Sequence, residues 1–327
     1  MKQQRHIHVW IGVAALFLLL NVTRANGARR AYFVQIAWSP NADHLVVTSN
    51  RGAAFYTLTE GGFDEEWIVA GEMHSATFSP DGTQILLGLG GFNQVKSGMV
   101  EIRSLDGRPQ NELYAHIIGV EHLLYTPDGQ TLITVGSRER HYGDRAPRRF
   151  DARTWIEDGQ IDTTGLIDSI VMSPSGETIA VQSPYSNAIR LFNAQFALQM
   201  RIHTSASLCA VSDDYLVTLG AGFWSIWEQR TLPEAHAVEI ESWTAHSSNQ
   251  VVGCSLNAIA LYDGVHLTLR DPITGALIAK REMRSFDSVS LEISPHSDHV
   301  AWIDRGGYLN VWDVVTDQIN RIGVPIV

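Results

Sequence analysis

The densest run of side chains able to do chemistry lies between Ser137 and Arg149, where five of thirteen residues are Arg. Arg138, Arg140, Arg145, Arg148 and Arg149 stand there beside His141 and Tyr142. A guanidinium is a planar fork of donors that fits a carboxylate or a phosphate bidentately. The run therefore offers an anion- or carboxylate-binding patch, with Tyr142 and Phe92 as contact surfaces and Lys96 nearby. A blander reading competes with it. These Arg pair within the molecule, with Asp64, Glu65, Glu66 or other acidic residues, or stay solvated. His74, His116, His203 and His246 could suggest a metal set, but they are spread over four separate segments that a single ion cannot gather. Hydrogen bonding within the structure is their expected role. His44 and His299 each follow an Asp just after a turn and are expected at the surface. No Gly-x-Ser-x-Gly, His-Glu-x-x-His or phosphate-loop pattern occurs. Neither a catalytic group, a metal nor a cofactor is expected.

The elements that must carry these residues are set by a repeat. It reads Ala37-Trp38-Ser39-Pro40, Thr77-Phe78-Ser79-Pro80-Asp81-Gly82, Leu124-Tyr125-Thr126-Pro127-Asp128-Gly129, Val171-Met172-Ser173-Pro174-Ser175-Gly176 and Glu292-Ile293-Ser294-Pro295. Degenerate copies lie at Val211-Ser212-Asp213 and Cys254-Ser255-Leu256. The Ser/Thr positions are 40, 47, 47, 39, 43 and 39 residues apart. A period near 40 to 45 marks a propeller-like array. Ser-Pro-Asp-Gly is turn chemistry, because Pro presets φ and Gly tolerates the exit geometry. Short aliphatic runs such as Ile85-Leu86-Leu87 and Ile179-Ala180-Val181 follow each turn and read as strands. The residues one and three places before each Ser/Thr are apolar in all seven copies, so one face of that strand is buried. The residue between them is mostly small or apolar, with Glu292 the outlier, so both faces are covered.

Cys209 and Cys254 fall in those apolar columns. They are expected as two buried thiols acting as small hydrophobes, with a disulfide as the alternative. A third strand in each repeat ends at pairs such as Phe150-Asp151, Trp227-Glu228, Arg270-Asp271 and Trp312-Asp313. Here residues 33 to 327 resemble the WD40 family, which is named for that last dipeptide. Its Gly-His marker survives only as the four His. The resemblance implies an all-β fold, a seven-bladed β-propeller of four-stranded antiparallel blades. Each blade is expected to be continuous in sequence, beginning near Phe33 and ending on an outer strand at 319 to 324.

From turn Ser/Thr to third-strand marker the distance is 24 in copies 2 and 3, against 15 to 19 elsewhere. The extra residues are Gly90 to Gly98 and Gly136 to Arg148. In WD40-like propellers such connections share a face, so two neighbouring long loops form a protrusion suited to binding.

The N-terminus is a separate segment. Lys2 and Arg5 precede an uncharged stretch from Val9 to Val22, shorter than a bilayer-spanning helix. Ala25-Asn26-Gly27 supplies small residues for cleavage, so residues 1–27 read as a signal peptide, or as an anchor through residues 9–22 if uncleaved. Residues 28–327 would then be the propeller. Of the 24 Lys and Arg, three lie in residues 1–27, leaving 21 against 35 acidic residues, a net of −14. Such a surface repels nucleic acid. The expected protein is an extracytoplasmic, non-catalytic scaffold for a protein or peptide, contacting membrane only through its N-terminal segment. A hydrolase, lactonase or lyase at the channel mouth is the alternative, resting on fold analogy.

Overall fold

The computed structural model describes residues 33–59, 62–90, 97–136, 146–163, 166–183, 187–220, 223–228, 238–244, 250–283 and 286–325. Among them are 28 strands and no helix, gathered into seven four-stranded antiparallel sheets. The protein is a seven-bladed β-propeller. Blade 1 holds β1 (Phe33–Trp38), β2 (His44–Ser49), β3 (Gly52–Thr59) and β4 (Gly62–Ala70). Blade 2 holds β5 (Met73–Phe78), β6 (Gln84–Leu89), β7 (Met99–Ser104) and β8 (Pro109–Tyr114). Blade 3 holds β9 (Val120–Tyr125), β10 (Thr131–Gly136), β11 (Arg148–Asp151) and β12 (Glu157–Gln160). Blade 4 holds β13 (Ser169–Met172), β14 (Thr178–Gln182), β15 (Ala188–Asn193) and β16 (Leu198–His203). Blade 5 holds β17 (Ser207–Val211), β18 (Tyr215–Gly220), β19 (Phe223–Glu228) and β20 (Val238–Thr244). Blade 6 holds β21 (Gln250–Cys254), β22 (Ile259–Tyr262), β23 (His266–Arg270) and β24 (Leu277–Glu282). Blade 7 holds β25 (Ser290–Ile293), β26 (His299–Ile303), β27 (Tyr308–Asp313) and β28 (Gln318–Gly323).

Strand order within every sheet follows sequence order, so each blade is continuous as expected. Among the described residues no strand is exchanged where the ring closes. Among the described residues, Ala301, Ile303, Leu309 and Val311 of blade 7 pack against Ile36, Leu45, Val47, Ala54 and Tyr56 of blade 1. Seven apolar clusters fill the molecule, one for each seam between neighbouring blades. Alternation along a strand feeds two seams at once. In β1, Ile36 and Trp38 face blade 7, whereas Ala37 faces blade 2.

The repeated Ser/Thr has one physical task. In all seven copies its hydroxyl accepts an N–H at the start of the following strand, from that strand's first residue in six copies and from Ala258, just before β22, in the other. The distances are 2.9 Å from His44, Gln84 and Thr131, and 3.1 Å from Thr178. They are 2.9 Å from Tyr215, 3.1 Å from Ala258 and 2.9 Å from His299. Five copies span five residues to reach that N–H, but Ser212 and Ser255 span three. The copies without Pro and Gly are thus tighter turns rather than damaged ones. The Asp of the third-strand pair also has a task. Asp151, Asp271 and Asp313 each accept N–H groups two and three residues on, fixing the turn to the outer strand.

One expectation is corrected. Cys209 and Cys254 are not two buried thiols but a disulfide, with their Cα atoms 6.1 Å apart. The bond joins the innermost strands of blades 5 and 6. A register shift between Leu208 and Ala210 makes Cys209 the extra residue of a bulge. The bulge takes Cys209 out of the column that a straight strand would give it, and into the seam shared with Cys254.

His44 and His299 are likewise half-buried rather than plain surface residues. Their rings lie 5.2 Å from Phe55 and 5.8 Å from Trp38.

Candidate functional site

In an antiparallel blade, the connection from second to third strand and the connection into the next blade emerge at the same end. In blades 2 and 3 that end carries the two long connections. The residues singled out there, Phe92, Lys96, Arg138, Arg140, His141, Tyr142 and Arg145, lie outside the described residues. The base from which both loops spring is described, and it is tightly built.

The first loop ends on Gly98. Its carbonyl accepts two N–H groups of the connection entering blade 3, from Ala115 at 3.0 Å and from His116 at 2.8 Å. The Ser97 hydroxyl donates to the carbonyl of Ile118 in the same connection. Gly98 has φ of +77°, and a Cβ there would come within 1.8 Å of the His116 carbonyl oxygen. Both the conformation and the close approach require glycine. At the loop's other foot, Gly90 packs on the His74 ring, leaving no room for a side chain. His74 in turn pairs with Glu72 at 3.2 Å.

The second loop springs from β10 and returns to β11. Thr134, on β10, bonds to His116 Nε2 at 2.8 Å. His116 thus lies in the seam between blades 2 and 3 and is 1% exposed. Burial pushes its pKa down to about 4, and the nearby Arg148 adds to the effect. It is a neutral structural imidazole at pH 7. Arg148 and Arg149 end the Arg-rich run, and both pair within blade 3. Arg148 reaches Glu157 at 3.1 Å and Arg149 reaches Asp158 at 3.0 Å. Arg149 also lies over the Phe196 ring at 4.4 Å. For these two Arg the intramolecular reading holds, although the partners come from β12 rather than from Asp64, Glu65 or Glu66.

Two neighbours went unmarked in the sequence. Tyr114 and Ile117 flank the clamp on Gly98 and are 59% and 55% exposed. A large ring at the end of the mostly polar β8, and an aliphatic residue in the connection after it, are the signals for them. The four His do not converge. His116 and His74 have the partners above, His203 is exposed, and His246 lies outside the described residues. Among the described residues no three His, Cys, Asp or Glu gather to hold a metal ion.

A second concavity of about 550 Å³ lies between blades 6 and 7. Its Arg side chains are paired: Arg305 with Asp287 at 3.0 Å, Arg321 with Asp304 at 2.9 Å, and Arg281 with Asp317 at 2.5 Å. The guanidiniums there are already engaged.

No protein-family model matches the chain, and no curated protein matches it.

Proposed function

We propose that the chain is an exported, non-catalytic scaffold that binds a protein or peptide through the long connections of blades 2 and 3. The observation that carries this reading is their shared base. Gly98, Ala115, His116 and Thr134 fasten two adjacent loops to one seam. Loops held on a rigid scaffold are where binding residues concentrate. Exposed Tyr114 and Ile117 beside the base add apolar contact area of the kind interfaces use.

The cysteine bond supports export, because disulfides persist in oxidising compartments. Residues 1–27 would then be the leader, or an anchor if retained. The likeness to WD40 repeats points the same way, since most such domains serve as interaction modules. The acidic balance of the chain disfavours nucleic acid as the partner.

The test is a pull-down from the native host. Replacing Arg138, Arg140 and Arg145 together by Ser should strip the captured partner from the bait. Unchanged recovery would sink the loops as the binding site.

A further inference from the structure

One seam, between blades 7 and 1, joins blades that are not consecutive in the chain, and its polar groups are treated differently from those elsewhere. Trp38, Leu45 and Tyr56 are successive cross-strand partners on β1, β2 and β3, so they form one row across blade 1. That row packs into the cluster shared with Ala301, Ile303, Leu309 and Val311 of blade 7. Tyr56 is wholly buried, and its hydroxyl has no hydrogen-bond partner among the described residues. The indole N–H of Trp38, at the other end of the row, is buried and unpartnered as well. The ring nearest to Trp38 from blade 7 is His299, 5.8 Å away, and its Nδ1 lies 3.0 Å from the Asp298 carboxylate instead. Glu292 stands half-buried in the same seam: its cross-strand partner is Ala301, whereas Leu291 and Ile293 serve the seam with blade 6.

Other seams satisfy the same kinds of group. The Trp67 indole donates from blade 1 to the Leu105 carbonyl of blade 2 at 2.8 Å. The Trp224 indole donates from blade 5 to the Pro272 carbonyl of blade 6 at 3.0 Å. Side chains bond to backbone across seams too. Gln35 accepts the Ala76 N–H at 2.8 Å, Ser75 donates to the Val120 carbonyl at 2.7 Å, and Gln182 accepts the Leu208 N–H at 2.6 Å. Among the described residues no hydrogen bond joins β1–β4 to β25–β28.

A buried donor without an acceptor carries its full desolvation cost, and recovers it when water arrives. Parting blades 7 and 1 therefore hydrates Trp38 and Tyr56 without breaking a hydrogen bond between strands of the two blades. Parting a bonded seam loses hydrogen bonds first.

We propose that the ring is gated at this junction: blades 7 and 1 part and reseal while the bonded seams stay shut. The open gate is a lateral entrance to the ring, walled by the apolar faces of blades 1 and 7.

Thiol labelling under native conditions tests the gate, because Cys209 and Cys254 are bonded to each other and give no background. Ala301→Cys places a reporter in the gated seam, and Ala180→Cys places one in the seam between blades 4 and 5; both positions are wholly buried. Ala54→Cys, on the opposite wall of the gate, replaces the first reporter if that variant does not fold. The gate reporter should label about tenfold faster than the control, or more. Adding Tyr56→Phe removes the orphaned hydroxyl and keeps the ring. It should slow labelling at the gate roughly five- to tenfold and leave the control unchanged. Equal labelling at the two seams overturns the proposal. So does a Tyr56→Phe variant that labels at the gate as fast as the parent or faster, or that fails to fold, because the hydroxyl would then be holding the seam rather than weakening it.

Discussion

The seam between blades 2 and 3 and the seam between blades 7 and 1 each hold a titratable group, one buried and one half-buried, and the two groups are of opposite kind. His116 is a base, bonded to Thr134 and held beneath the loop-bearing end. Glu292 is an acid in the closing seam with burial as its only perturbation. Desolvation disfavours the charged form of both, so it moves their pKa values in opposite directions. For His116, the unfolded chain takes up a proton at 6.5 that the folded chain refuses until about 4. Stability from that seam is whole above pH 6.5 and is lost as pH falls towards 4. For Glu292 the folded chain is the one that holds the proton, so stability is whole below 4.5 and is lost as pH rises towards 8. The loop-bearing end is thus firmest where the closing seam is weakest. Two blade junctions built on the same repeat can answer pH with opposite sign.

The largest effect should come from striking the closing seam itself. Cutting the chain after Asp313 removes β28 and Val324, which belongs to the apolar cluster there. Cooperative unfolding in calorimetry should be lost or its midpoint should drop by more than 10 °C, on the order expected for losing several kcal/mol. An unchanged Tm would show that the seam does not hold the ring shut.

A smaller effect should come from the third, covalent seam, which serves as the control. Replacing Cys209 and Cys254 together by Ser should lower stability to urea by roughly 2–4 kcal/mol. The pH dependence of unfolding should not change. If it does change, the pH windows do not belong to the two seams assigned above.

The smallest effect should come from His116→Gln. Loss of a buried hydrogen-bonded ring should cost about 1–2 kcal/mol at pH 7. The difference from wild type should then shrink between pH 6.5 and 4, where the native imidazole becomes a liability. A constant difference across that range, followed by circular dichroism, would remove His116 from the comparison.

Much of this fold is legible in the sequence because one hydroxyl does one job seven times. The hydroxyl has to stay, whereas Pro occurs only where the turn is five residues long, and there Ala42 and Ser297 adopt the positive φ that Gly82, Gly129 and Gly176 adopt in the other copies. That is why Ser212 and Ser255 can be aligned although their surroundings differ. The Cys209–Cys254 bond is illegible for a local reason: columns assume straight strands, and the bulge at Cys209 breaks the assumption. Glu292 stands out in its column, but only the pairing with Ala301 reveals which seam receives it. At the loop-bearing end, spacing alone locates the two long connections. The clamp of Gly98 on Ala115 and His116 joins segments that no periodicity relates.

The continuity of each blade has a consequence for the order in which the molecule takes shape. Six seams join blades adjacent in sequence, while the seventh joins the first blade to the last. Contacts between distant parts of a chain form late, because loop closure must come first. As the chain is synthesised, blade 1 therefore waits with Ile36, Leu45, Val47 and Tyr56 uncovered until Ala301, Ile303 and Val311 arrive. The longest-lived sticky surface of the nascent protein is the outer face of its first blade, and that face is the one a chaperone would have to guard.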